Sequence, residues 1–311
     1  MIEKIVIAAD ENYVIGTLAL IASIGKNTDR AIRDRLRLVF AYENESISER
    51  SKRLIQESAS RFELDLHTES FVPGSKKSKR HISTTTFAKF YFLDNSDEPF
   101  LWLDTDTIVL PGWSEILESD QYMSSNKPYL IVKRPDGSSS NPNAGVFGAF
   151  PGNPIENWES RVGVHELSLE QHIFQAELPP RSFAADSSFN VISIWGQPTD
   201  SSAKIRHFAG PIKPWHQSKR ASQKCIDAQC AWASWHEVYG EQPSLSGSAI
   251  TSEMRKATKS SLGMRHRVLL SSVAFAASFE NVAWTGRALA KIANLSGLRG
   301  ELHPLHRYRD N

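Results

Sequence analysis

The sequence predicts an α/β fold: a mixed, mainly parallel sheet flanked by helices, with a helical tail at the C-terminus. Three observations predict it. Short apolar, β-rich runs alternate with helix-compatible stretches over the first 66 residues, the order that lays helices over a parallel sheet. The run Phe100-Leu101-Trp102-Leu103 is apolar without a break, as a strand covered on both faces must be. Hydrophobic residues fill 40% of the 311 positions and charged residues 23%, which is ordinary for a globular chain and excludes global disorder, collagen and integral membrane classes.

Taken in order, Ile5–Ala9 is a buried strand stopped by the polar turn formers Asp10, Glu11 and Asn12. Val14–Ile24 is a helix with Leu18, Ile21 and Ile24 at helical spacing, and Gly25-Lys26-Asn27 ends it. In Arg35–Tyr42, Leu36, Leu38 and Phe40 share one face of a second strand. Ile47–Ser60 is a charged helix and Phe62–Leu66 a third strand; Thr84–Leu93 is a helix carrying Phe87, Phe90 and Tyr91. Strand character resumes at Ile108–Leu110, Tyr129–Val132 and Val146–Phe150, then a helix at Leu167–Ala176 and late strands at Val191–Trp195 and Ile205–Phe208. The Ser-rich stretch Ser244–Ser252 marks a linker, so one domain spans 1–243 and a basic, helix-rich tail spans 244–311.

The net charge of +1 gives no sign of a nucleic acid partner. It hides an asymmetry: Arg255–Asn311 holds 10 Lys/Arg against 3 Asp/Glu, and Met1–Met254 holds 26 against 32. Two cysteines, Cys225 and Cys230, make neither a disulfide framework nor a four-ligand zinc site, and read as reduced thiols. The start Met1-Ile2-Glu3-Lys4 leads straight into a strand, which predicts no signal peptide and a cytoplasmic protein. The longest apolar stretches, Val14–Gly25 and Val268–Phe279, have 12 residues each, short of the roughly 18 of a spanning helix.

Asp104-Thr105-Asp106 is the sharpest chemical feature. Residues i and i+2 of an extended chain point the same way, so both carboxylates are expected together at the end of a buried strand. Two such groups repel unless a cation sits between them, and a hard divalent ion takes oxygen ligands. An acidic cap at a strand end is the ordinary alternative; four large apolar residues immediately before it favour the metal. Asp10, Asn12 and Tyr13 end the first strand with polar groups and an aromatic ring suited to a nucleobase, or simply form a turn. His207 follows a late strand, Gly210 allows close backbone approach and Lys213 suits a phosphate. Asn141–Gly145 reads as a small-residue loop rich in amides.

In this order the pieces resemble the family 8 glycosyltransferases over about Lys4 to His216. Ala8-Ala9-Asp10-Glu11-Asn12-Tyr13 is similar to that family's nucleotide-binding start, and His81–Lys89 to its segment before the metal strand. Leu103-Asp104-Thr105-Asp106 matches its L-D-x-D, Asn143-Ala144-Gly145-Val146 its N-[AS]-G-V, and His207–Trp215 its H-x-x-G-x-x-K-P-W. The resemblance implies a GT-A fold and transfer of a hexose, galactose or glucose, from a UDP-sugar with retention of configuration. It implies Mn²⁺, or Mg²⁺, held by Asp104, Asp106 and His207, with Thr105 between the two acids. Ala8, Ala9, Asp10, Asn12 and Tyr13 would face the uridine, and Gly210 and Lys213 the diphosphate. Asn143, Ala144, Glu170 and Gln171 would line the sugar and the reacting carbon. Lys89 stands where an arginine is usual, and Glu170 where an aspartate is usual.

The implied acceptor is a glycan, lipid-linked in lipopolysaccharide or surface polysaccharide synthesis. The basic tail then reads either as a peripheral contact with the inner face of the membrane or as helices packed on the chain's own domain. The basic loop Lys76–Arg80 reads as an anion-attracting or a solvated loop. Two rivals stand beside this reading: a sugar nucleotidyltransferase, and a non-catalytic nucleotide- or glycan-binding subunit. The first would want glycines and a basic residue after the first strand, and Ala8–Tyr13 has neither. Intact Asp104, Asp106 and His207 argue against the second.

Overall fold

The computed structural model describes residues 1–72, 84–162, 170–193, 200–210, 213–216, 226–227 and 229–240. The chain divides into two units, Met1–Val191 with Ala203–Arg206, and Ile192–Ser202 with His207–Asn311. The tail, the linker, the loop Lys76–Arg80 and the motif residues His81, Ile82, Ser83 and Ile212 lie outside the described residues.

The first unit opens with β1 (Lys4–Ala8), then a 3₁₀ turn, Glu11–Tyr13, and α1 (Val14–Asn27). Every residue of α1 from Val14 to Gly25 is buried; a helix apolar all round belongs inside the core. A short helix, α2 (Arg30–Arg33), leads to β2 (Arg37–Glu43), α3 (Glu49–Arg61) and β3 (Asp65–Phe71). Ser48 caps α3 by accepting from the Ser51 amide at 3.2 Å. The third strand therefore starts later than Phe62–Leu66. Phe62 is the C-cap of α3, and Glu63 has φ +55°, which no strand tolerates. Phe62 packs where a Cβ on Gly25 would come within 2.3 Å of its own Cβ, so the glycine is what lets α1 approach.

A 3₁₀ turn, Thr84–Phe87, precedes α4 (Ala88–Asn95), splitting the one helix expected there. Then come β4 (Phe100–Leu103), β5 (Thr107–Val109), α5 (Asp120–Met123), β6 (Tyr129–Val132) and β7 (Val146–Ala149). Next are α6 (Trp158–Arg161), α7 (Glu170–Glu177), β8 (Ser182–Ala185), β9 (Val191–Ile192) and β10 (Ile205–His207). Seven strands form one sheet in the order β3-β2-β1-β4-β7-β6-β8, and β5-β10-β9 form a small second sheet. Within the seven, β7 alone runs antiparallel, against both β4 and β6; the other pairs are parallel.

That one reversal places the site. The register Leu103↔Val146 sets the start of β7 beside the end of β4, and Asp104 donates its amide to the Gly145 carbonyl at 2.8 Å. The ends of β1 and β4 and the loop before β7 thus share one edge of the sheet, where ligands bind in open α/β folds.

Beneath that edge is an aromatic core. Phe90 of α4 stacks on Trp158 of α6, centroids 4.3 Å apart and planes 5° apart, and meets Phe174 of α7 at 5.2 Å. Phe174 continues to Phe147 of β7 at 5.0 Å, and Phe147 stacks on Trp102 of β4 at 6.2 Å.

In the second unit, the His207 carbonyl accepts from the Ser193 amide at 2.8 Å. Trp232 donates to the Ser193 carbonyl at 2.9 Å and meets Phe208 edge-on at 6.4 Å. Trp215 packs on Trp235 at 5.7 Å, and Trp235 stacks on Tyr239 at 4.8 Å within the helix Ala233–Gly240. Cys230 corrects one expectation: it is disulfide-bonded, not a reduced thiol. Among the described residues, no helix is long and apolar enough to cross a membrane.

Candidate active site

Asp104 and Asp106 do not lie on an extended strand. β4 ends at Leu103, and Asp104–Thr107 is a turn closed by the Thr107 amide at 3.0 Å and the Thr107 hydroxyl at 2.7 Å, both donating to the Asp104 carbonyl. The carboxylates converge through this turn, not through strand alternation. Thr105 donates its hydroxyl to the Ala8 carbonyl at 3.3 Å, which ties the turn to the end of β1. Asp106 is buried; Asp104 keeps 28% of its side chain exposed.

His207 closes β10, the strand whose first two residues, Ile205 and Arg206, belong to the first unit. The ligand-capable atoms of Asp104, Asp106 and His207 all lie within 4.8 Å of one another. Two carboxylates and one imidazole make an oxygen-rich, mixed donor set that fits a divalent cation of the Mn²⁺ or Mg²⁺ kind. Trp102 steadies the first ligand, donating its indole N–H to Asp104 Oδ1 at 2.7 Å.

Lys89, in the first turn of α4, is buried with its ammonium 3.0 Å from Asp104 and 3.6 Å from Glu170. Burial pulls its pKa down, but Asp104, Glu170 and Asp106 together outweigh burial and hold it above the ordinary lysine value. A buried ammonium needs such partners to stay charged.

Asp10 accepts from the Asn12 amide at 2.9 Å and caps the 3₁₀ turn, so one of its oxygens serves the backbone. Glu11 accepts from the Ser48 amide at 2.8 Å and the Ser51 hydroxyl at 2.6 Å, fixing that turn to the start of α3. Ala9 is buried, and Asp10, Asn12 and Tyr13 are half-buried at the sheet edge.

Gln171 has both ends of its carboxamide committed. Its Oε1 accepts from the Ala144 amide at 2.9 Å and its Nε2 donates to the Pro142 carbonyl at 2.5 Å. Asn143 Oδ1 accepts from the Gly145 amide at 2.8 Å. Asn190 completes this clamp, its Nδ2 lying 3.3 Å from both the carbonyl and Oδ1 of Asn143. Sequence reading missed Asn190. Its one signal was Asp186-Ser187-Ser188, a turn-capping pattern: Asp186 accepts from the Ser188 amide at 2.9 Å and caps the 3₁₀ turn Ser187–Asn190. That amide holds the Asp186 carboxyl below its ordinary pKa. Asn190→Ala is expected to lower stability by about 1–2 kcal/mol, read as a lower urea midpoint. Asn190→Asp, which faces an acceptor with acceptors, should lower it further.

In the second unit, Gly210 has φ +102°, a conformation that glycine adopts freely. Lys213 is buried and donates its ammonium to the Phe208 carbonyl at 3.0 Å. Its amide donates to His216 Nδ1 at 3.1 Å, which makes that nitrogen the acceptor.

Residues 4–132 match the model of glycosyl transferase family 8. The match takes in Asp10, Lys89 and the Asp104-Thr105-Asp106 turn and ends at Val132. Solved structures of glycosyltransferases share the GT-A fold of this chain. An active-site mutant of LgtC has a TM-score of 0.57 at 18% identity, covering 81% of this chain and 99% of LgtC. The galactosyltransferase LgtC in complex with donor and acceptor sugar analogs scores 0.53 at 18% identity, covering 83% and 100%. The bifunctional glycosyltransferase WbbM, in its apo form, scores 0.59 at 17% identity, covering 83% of this chain and 52% of WbbM. None of the curated proteins compared matches the chain.

Proposed function

We propose that this glycosyltransferase moves a hexose, galactose or glucose, from a UDP-sugar to a glycan acceptor with retention of configuration. The observation that carries the reading is the convergence of Asp104, Asp106 and His207 at the sheet edge, within the family match for both aspartates. A divalent cation held there would neutralise charge developing on the departing diphosphate. Asp10, Asn12 and Tyr13, with Ala8 and Ala9, receive the uridine. Gly210 and Lys213 face the diphosphate. Lys89, Asn143, Ala144 and Glu170 orient the sugar.

Gln171 lines the sugar and the reacting carbon and braces the neighbouring loop as well. With both polar atoms of its carboxamide held by the loop before β7, it positions Asn143 and Ala144. The galactosyltransferase LgtC, solved with donor and acceptor analogs, lends support to galactose and to a saccharide acceptor. The acceptor we propose is a lipopolysaccharide or other surface glycan.

The test is a thermal-shift series with UDP, with Mn²⁺ and with both. Stabilisation that requires both, near 2.7 kcal/mol at about 100 times Kd, is the expected result, followed by UDP release from UDP-galactose or UDP-glucose. No shift under any condition would overturn the reading and favour a binding subunit for a different ligand. Pyrophosphate release from UTP and a sugar 1-phosphate would favour the nucleotidyltransferase.

A further inference from the structure

Lys89 has two carboxylate partners and one charge to give them. Its ammonium lies 3.0 Å from Asp104 and 3.6 Å from Glu170, and a charge-assisted N–H···O bond is best at about 2.7–2.9 Å. The first contact is close to a full ion pair; the second is a stretched one. The carboxylates acting on Lys89 are Asp104, Glu170 and Asp106, a formal −3 against its +1.

We propose that Lys89 is an exchangeable counter-ion: it pairs with Asp104, releases that carboxylate when a divalent cation is taken up, and then serves Glu170 alone. This rests on the reading of Asp104, Asp106 and His207 as cation ligands. It makes Lys89 a positioning residue whose partner depends on loading, and Glu170 a carboxylate fixed only once the cation is present.

The surroundings permit the exchange. Asp104 Oδ1 keeps the indole N–H of Trp102 at 2.7 Å, so Asp104 stays oriented when the lysine leaves. The ammonium lies 5.6 Å from the centroid of the Trp102 ring, a face that attracts a cation between two partners. A lysine suits this where an arginine would not: its ammonium is a point charge on a flexible stem, whereas a guanidinium fork holds two oxygens at once. Lys89 and Glu170 are anchored by α4 and α7, which Phe90 and Phe174 hold together at 5.2 Å, so the exchange needs a side-chain movement only.

The experiment is calorimetric titration of the full chain with Mn²⁺ alone, without nucleotide. In the wild type, Glu170 draws Lys89 away from Asp104 and so assists cation uptake. Glu170→Gln is expected to weaken Mn²⁺ binding about tenfold, as coupled neighbours do. Glu170→Asp keeps the charge and withdraws the carboxylate by one methylene, and should weaken binding several-fold. Lys89→Met removes the competing cation and should tighten it, and in that background Glu170→Gln should change the affinity less than twofold.

Unchanged affinity in Glu170→Asp would overturn the proposal, because a plain through-space charge effect survives that substitution. An equal loss for Glu170→Gln with and without Lys89 would overturn it too. If Lys89→Met does not fold, the Glu170→Asp result decides alone. A wild-type chain that binds no Mn²⁺ would sink the cation reading itself, an outcome distinct from wild-type binding without coupling.

Discussion

Asp106→Asn is expected to cut sugar transfer by at least roughly 100-fold while leaving the folded chain as stable as before. The substitution keeps the shape of the side chain and removes one of the two carboxylates that meet His207 within 4.8 Å. The stability expectation follows from charge. Asp104, Asp106 and Glu170 all lie close enough to act on Lys89, so neutralising one of these three like charges relieves repulsion among them. The variant should melt within about 1 kcal/mol of the wild type and lose the stabilisation that Mn²⁺ and UDP give together. A variant that retains wild-type turnover would remove Asp106 from the ligand set.

Phe90→Ala should give the largest loss of stability, about 3–5 kcal/mol. Phe90 is fully buried, stacked on Trp158 and packed on Phe174. Its loss leaves a cavity bounded by rigid rings that cannot collapse into it. The effect reaches the site, because α4 carries Lys89 and α7 carries Glu170 and Gln171. A urea melt measures the stability term. At temperatures where the variant is still folded, donor KM should rise, since two helices that orient the sugar no longer share a packing partner. A midpoint shift below about 1 kcal/mol would show that α4 and α7 are held by other contacts.

The central strands were legible because each is a short apolar run with polar punctuation. Ile5–Ala9 is β1 shifted by one residue, and Phe100–Leu103 is β4 itself. What escaped was what local pattern does not encode. Phe62 looks like the start of a strand, but its packing against Gly25 is a tertiary contact. β8 has four residues, three of them half-buried at the sheet edge, too weak a signal to read. The reversal of β7 is invisible in its apolar run, yet it delivers Asn143–Gly145 to Asp104. Within the site, residue types were readable and geometry was not: the Asp-Thr-Asp carboxylates converge through a turn, and Asn190 acts from 47 positions away on Asn143.

The strand order also sets a timetable for synthesis. β1, β2 and β3 are adjacent and parallel, and all have been synthesised by Phe71. β1 is an edge strand of that half-sheet, and its open side waits for β4 at Phe100–Leu103. At about 5–20 residues per second, the nascent chain carries an open, apolar strand edge for on the order of seconds. Unpaired edges of that kind are templates for intermolecular pairing. Slowed translation between Val72 and Glu98 would lengthen the exposure, so the yield of soluble chain should respond to codon choice there more than to codon choice after β7.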